Sequence, residues 1–151
     1  MKVEDAKRLD PQAHRTLVLW AVECAEHVLP YFEERYPKDN RPRKALEAGR
    51  AWVRGEIPMS EVRASAFSAH AAARKADDGA AYAAARAAGQ AVSTAHVAGH
   101  ACHAASYAVS AAAKAAVPEN AAAAAAKERN RQYRRLPEHL RPLAFPSQGD
   151  S

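Results

Sequence analysis

Large apolar side chains are scarce in this chain. Ten residues are aromatic, against forty alanines. The hydrophobic fraction of 48% therefore overstates what a core can bury. Cysteine is nearly absent, with only Cys24 and Cys102. Two such thiols form neither a disulfide framework nor a zinc knuckle, and buried free thiols suit a reducing cytoplasm. No stretch approaches a hydrophobic membrane span, because Arg86, Gln90, His96, His100, His103 and Lys114 interrupt the long alanine run. The segment Met1 to Asp10 is charged and lacks an apolar signal core. Alternation of apolar and polar residues is missing, so no strand is expected. Also missing are a glycine-rich phosphate loop, a nucleophile elbow and a His-Glu-x-x-His pair.

What is present is alanine: 32 of the 63 positions from Ala64 to Ala126. Alanine is the best helix former and has little area to bury. A core made of it gains contacts by close backbone approach. The net charge of +5 is an argument about solubility and association, not about fold. Its sharpest cluster is Arg129, Arg131, Arg134 and Arg135, which matches no nucleic-acid module. Nucleic acid is not an expected partner.

Punctuation divides the chain into an N-terminal extension (1–9), one all-α bundle of about five helices (10–141) and a mostly irregular tail (142–151). Asp10-Pro11 reads as an N-cap followed by proline at the first helical position. Leu17, Trp20, Ala21, Cys24 and Val28 repeat at helical spacing, with Pro30 bending a helix that runs to about Tyr36. The second helix carries Ala45, Leu46, Gly49, Trp52 and Val53 and ends at Gly55. Trp20 and Trp52 both read as buried. A third helix starts near Ser60. Asp77 or Asp78 caps a fourth, which could extend to Val117, with Gly89 and Gly99 read first as packing sites inside it and second as bends. A fifth runs from about Glu119 to Arg135.

On one continuous fourth helix, His96, His100, His103 and Tyr107 fall within about 60° of one another. The stripe is polar but uncharged, and Gly89, Val92 and Ser93 extend it. Three readings compete. In the first, the histidines fill space against another helix of this chain or of a second copy, and hydrogen-bond to it. In the second, His96 and His100, spaced i, i+4, share a metal ion with His70 as third ligand. His103 lies about 10.5 Å along the axis from His96, too far to join them easily. No carboxylate lies within the stretch, so no structural metal or other cofactor is expected. In the third reading, His70, His96, His100, His103 and Tyr107 line a pocket for a small molecule, with or without catalysis. His14, His27 and His139 read as ordinary surface or boundary positions.

Taken in order, several segments resemble a known family. They are Trp20-Ala21 with Cys24-Ala25-Glu26-His27-Val28-Leu29-Pro30, then Asp39-Asn40-Arg41-Pro42-Arg43-Lys44-Ala45-Leu46-Glu47-Ala48 through Trp52-Val53-Arg54-Gly55-Glu56-Ile57. Ala69-His70-Ala71-Ala72-Ala73-Arg74 follows, then Thr94-Ala95-His96-Val97-Ala98-Gly99-His100-Ala101 with Tyr107, and Leu136-Pro137-Glu138-His139-Leu140-Arg141. The chain is similar over this span to the immunity-five-like family of bacterial immunity proteins. That resemblance implies an all-helical cytoplasmic protein that neutralises a toxin by binding it, more a binding protein than an enzyme. It carries no catalytic residues with it. Because the chain is basic, charge complementarity favours an acidic partner.

Overall fold

The computed structural model describes residues 9–146. Among them there are seven α-helices, two short 3₁₀ turns and no strand. We number the helices α1 (Pro11–Glu33), α2 (Arg41–Val53), α3 (Met59–Arg74), α4 (Gly79–Ser93), α5 (His100–Ala115), α6 (Ala121–Arg135) and α7 (Arg141–Ala144). The 3₁₀ turns, Pro118–Asn120 and Glu138–Leu140, precede α6 and α7. The expected extension (1–9) lies outside the described residues except for its last position. So do residues 147–151 of the expected tail.

Most boundaries follow from local chemistry. The Asp10 carboxylate accepts from the Ala13 amide at 2.9 Å, and Pro11 takes the first turn. Gly55 ends α2 at a φ of 75°, where L side chains are strained. Its amide donates to Trp52, and the Glu56 amide donates back to Ala51, both at 2.9 Å. Asp78 caps α4 by accepting from the Ala81 amide at 3.0 Å.

Helix α1 supplies the large apolar side chains, including Leu17, Val18, Trp20, Val28, Leu29 and Phe32, all buried. Helix α4 supplies methyl groups. Ten of its fifteen residues are buried, eight of them alanine. It lies at the centre, against α1, α2, α3 and α5. Helix α2 approaches closely at Gly49, where an added Cβ would meet Val22 Cγ2 at 2.9 Å. Helices α6 and α7 close the side of α5. Of the two tryptophans, Trp20 is buried, whereas Trp52 is only half-buried and packs on the His14 ring at 5.3 Å.

Two features change the expected count of five helices. The tail contains α7, which brings Phe145 edge-on to Trp20 at 5.7 Å. More consequentially, the long fourth helix is two helices. Residues 94–99 form a turn, and Gly99 is the N-cap of α5, not a packing site inside a helix. The Thr94 hydroxyl donates to the Gln90 carbonyl at 3.1 Å. His14 Nε2, from α1, donates to the Thr94 carbonyl at 2.7 Å. A carbonyl freed by the break thus finds a donor from a distant part of the chain.

Candidate functional site

Only one strip of α4 reaches the surface. It consists of Tyr82, Arg86, Gln90 and Ser93, spaced so that they share a helix face. On one side stands the α3 stripe Arg63, Phe67, His70 and Arg74; on the other stand His100, His103 and Tyr107 of α5. The His70 ring lies on Gly89. A Cβ at Gly89 would sit 2.6 Å from His70 Nε2 and 2.7 Å from Nδ1, so only glycine admits the ring there.

Arg86 ties the three helices together. Its Nη1 donates to His70 Nδ1 at 3.0 Å, and its Nη2 lies 3.4 Å from the Tyr107 hydroxyl. The guanidinium carbon is 5.3 Å from the Tyr107 ring centre. Burial of the imidazole, reinforced by the charges of Arg86 and Arg74, lowers the His70 pKa to about 4. His70 is therefore neutral, with Nδ1 as acceptor and the proton on Nε2. His100 Nδ1 donates to Gln90 Oε1 at 2.7 Å. Burial, with His103 and His96 nearby, also holds its pKa below the ordinary imidazole value. Rings of His100 and His103 are 6.3 Å apart.

The break at 94–99 changes the expected stripe. His96 is not on the helix of His100, His103 and Tyr107; it sits exposed on the turn, where Arg63 Nη2 donates to its Nε2 at 3.2 Å. The expected i, i+4 pairing of His96 with His100 on one helix is absent, because the wheel projection assumed an unbroken helix. His70 does join the α5 residues, through Arg86. Among the described residues no three His, Cys, Asp or Glu lie together as a metal-holding group. Sequence reasoning missed Arg63, Arg86 and Gln90 as parts of this face. One signal was available: Arg86 is the only charged side chain between Asp78 and Lys114.

A second polar cluster joins α1, α5 and α6. His27 Nδ1 donates to the buried carboxylate of Glu128 at 2.6 Å, and Arg131 lies 3.6 Å from its other oxygen. Trp20 Nε1 donates to the Gln132 carbonyl, and Gln132 Nε2 to that of Ala105, each at 2.9 Å. His27, expected to be an ordinary boundary residue, thus anchors α6. Among the described residues Gln132 Oε1 is buried without a partner. Beside it a cleft of about 270 Å³ is lined by His103, Ser106, Arg129, Gln132 and Phe145 among others. Of the five site residues expected from sequence, only His103 reaches this cleft.

The family model described as "Imm-5 like putative immunity protein" matches residues 7–139. The chain belongs to this family. No curated protein and no solved structure matches it. The region matched by the Imm-5 like model takes in α1 through α6, and hence the whole α3–α4–α5 face, but stops before α7. No described helix of this Imm-5 like chain is long and apolar enough to cross a membrane.

Proposed function

We propose that the chain is an immunity, or self-protection, protein that binds a toxin-like partner protein and blocks it. Membership of the Imm-5 like family over residues 7–139 carries this reading. The geometry of the α3–α4–α5 face supports binding over turnover. His70 Nδ1 is occupied by Arg86 and His100 Nδ1 by Gln90, and among the described residues no carboxylate orients either ring as a general base. His70, His96, His100, His103 and Tyr107 are then contact or contact-supporting residues. The protein works in the cytoplasm, which suits its two free thiols.

A growth-rescue assay tests the reading. A toxin gene neighbouring this one is expressed with and without the chain. Rescue of growth, with the two products co-purifying as a complex, is the expected result. Arrest that the chain does not relieve, or rescue without a complex, overturns neutralisation by binding.

One observation favours a second reading, small-ligand binding. The cleft beside α6 combines the charge of Arg129 with the polar side chains of His103 and Ser106.

A further inference from the structure

Six of the described arginines sit in ion pairs. Arg35, Arg41, Arg43, Arg50, Arg54 and Arg131 each have a carboxylate at ion-pair distance. Arg63, Arg74 and Arg86, like Arg15, Arg129, Arg134, Arg135 and Arg141, have no such partner among the described residues. Arg63 donates to His96, Arg86 donates to His70, and Arg74 lies 6.0 Å from the Phe67 ring centre. The sequence explains the contrast. Between Glu61 and Glu119 the only acidic residues are Asp77 and Asp78. Asp77 accepts from Arg35 and Tyr36, and Asp78 caps α4. The face built by α3, α4 and α5 thus carries cations with no acidic side chain paired to them among the described residues.

The same face carries the most exposed large apolar side chain described, Phe67 at 72%. It stands between Arg63 and Arg74 at helical spacing, so its ring is rimmed by guanidinium groups. Val97 adds a second exposed apolar residue on the turn beside His96. An apolar centre with a charged rim is the anatomy of a docking surface.

We infer that this face docks an acidic surface of a protein partner, with Phe67 as the apolar anchor and Arg63, Arg74 and Arg86 as the charge complement. The inference rests on the immunity reading for the partner's being a protein. Its sign comes from the face: three arginines without carboxylates gain ion pairs only from an acidic surface, and lose hydration to a neutral or basic one. The rival basic surface is Arg129, Arg134 and Arg135 on α6. There the exposed aromatic, Tyr133, is already covered by Arg141, whose guanidinium carbon is 4.2 Å from the ring centre. Glu138 also flanks that cluster.

The test has two arms. In the first, isotope-labelled full chain is titrated with poly-L-glutamate and, separately, with duplex DNA. Amide shifts from poly-L-glutamate should concentrate on residues 60–75, 82–90 and 94–107 and fade at high salt. Reversing the exposed Arg63 and Arg74 together (R63E, R74E) should weaken that binding about tenfold or more, whereas R134E with R135E should not. Shifts centred on α6, tighter binding of DNA, or no shifts at all would overturn the inference. In the second arm, R63E/R74E and F67S are placed in the growth-rescue assay, with thermal melts to establish that they fold. Loss of rescue by folded variants is expected. Rescue that survives charge reversal removes this face and leaves the immunity reading standing. Failure of the unaltered chain to rescue, with poly-L-glutamate still mapping to the face, removes the immunity reading and leaves the acidic docking surface.

Discussion

The contact between His70 and Gly89 makes a quantitative prediction. Glycine in a helix interior costs about 1 kcal/mol relative to alanine, so a glycine free of neighbours should be improved by Gly89→Ala. Here the added Cβ would lie 2.6 Å from His70 Nε2 and 2.7 Å from Nδ1, closer than real Cβ atoms come. The ring must leave, giving up its place on α4 and its bond from Arg86. Overpacking of this kind costs about 1–3 kcal/mol. Against the propensity gain, the net for Gly89→Ala is a loss of about 0–2 kcal/mol. In a His70→Ala background the obstacle is gone, and the same change should stabilise by up to about 1 kcal/mol. The coupling between the two positions is then about 1–3 kcal/mol. Urea midpoints for the four proteins, at a pH where histidine is neutral, measure it. In the Gly89→Ala protein the His70 pKa, followed by nuclear magnetic resonance, should also rise from about 4 toward its ordinary value of 6.5. Equal stabilisation by Gly89→Ala in both backgrounds would refute the reasoning.

Between about pH 4 and 6.5 the unfolded chain protonates His70 while the folded chain does not, so this group's contribution falls as pH is lowered and is intact above 6.5. After screening at a half-exposed ring, the loss relative to His70→Gln should be about 1–2 kcal/mol, read from urea midpoints at pH 7.5 and 5. Gln132→Met removes a partnerless oxygen but also the Nε2 that donates to the buried Ala105 carbonyl, so it should destabilise by about 1–3 kcal/mol, measured by chemical denaturation. Burial pushes the Cys24 thiol far above its ordinary range, and Cys102 is only half-buried. A thiol reagent should therefore modify Cys102 in the native protein and Cys24 only on unfolding, and Cys102→Ser should abolish the native-state reaction.

Much of this architecture is written locally. Asp10-Pro11, Gly55 and Asp78 mark helix ends through side chains or backbone freedom that act within a few residues. The break at 94–99 is different. Thr94 and Gly99 are weak signals by themselves, and alanine flanks favour helix on both sides. The donor that satisfies the freed Thr94 carbonyl comes from His14, on another helix, and no local pattern shows it. The break that this bond accompanies takes His96 off the expected stripe. At the candidate site, glycine on the histidine face correctly announced a close approach at Gly89, but not that the approaching group is a side chain of α3. In the sequence Arg86 is only an interruption of the alanine run. Its role depends on His70 and Tyr107 meeting it from two other helices.

The methyl-lined centre has a thermodynamic consequence of its own. An alanine has no χ angle to freeze, so the inner side of α4 becomes ordered without loss of side-chain rotamers. It also withdraws little apolar area from water, and heat capacity changes on unfolding follow that area. Melting this centre therefore raises the heat capacity less per residue than melting a leucine core would. The stability of the protein should then vary gently with temperature, with a broad maximum and a shallow approach to its midpoint. The demanding part of the fold is thereby shifted onto α1, whose Leu17, Trp20, Leu29 and Phe32 hold most of the large side chains the alanine helices pack around.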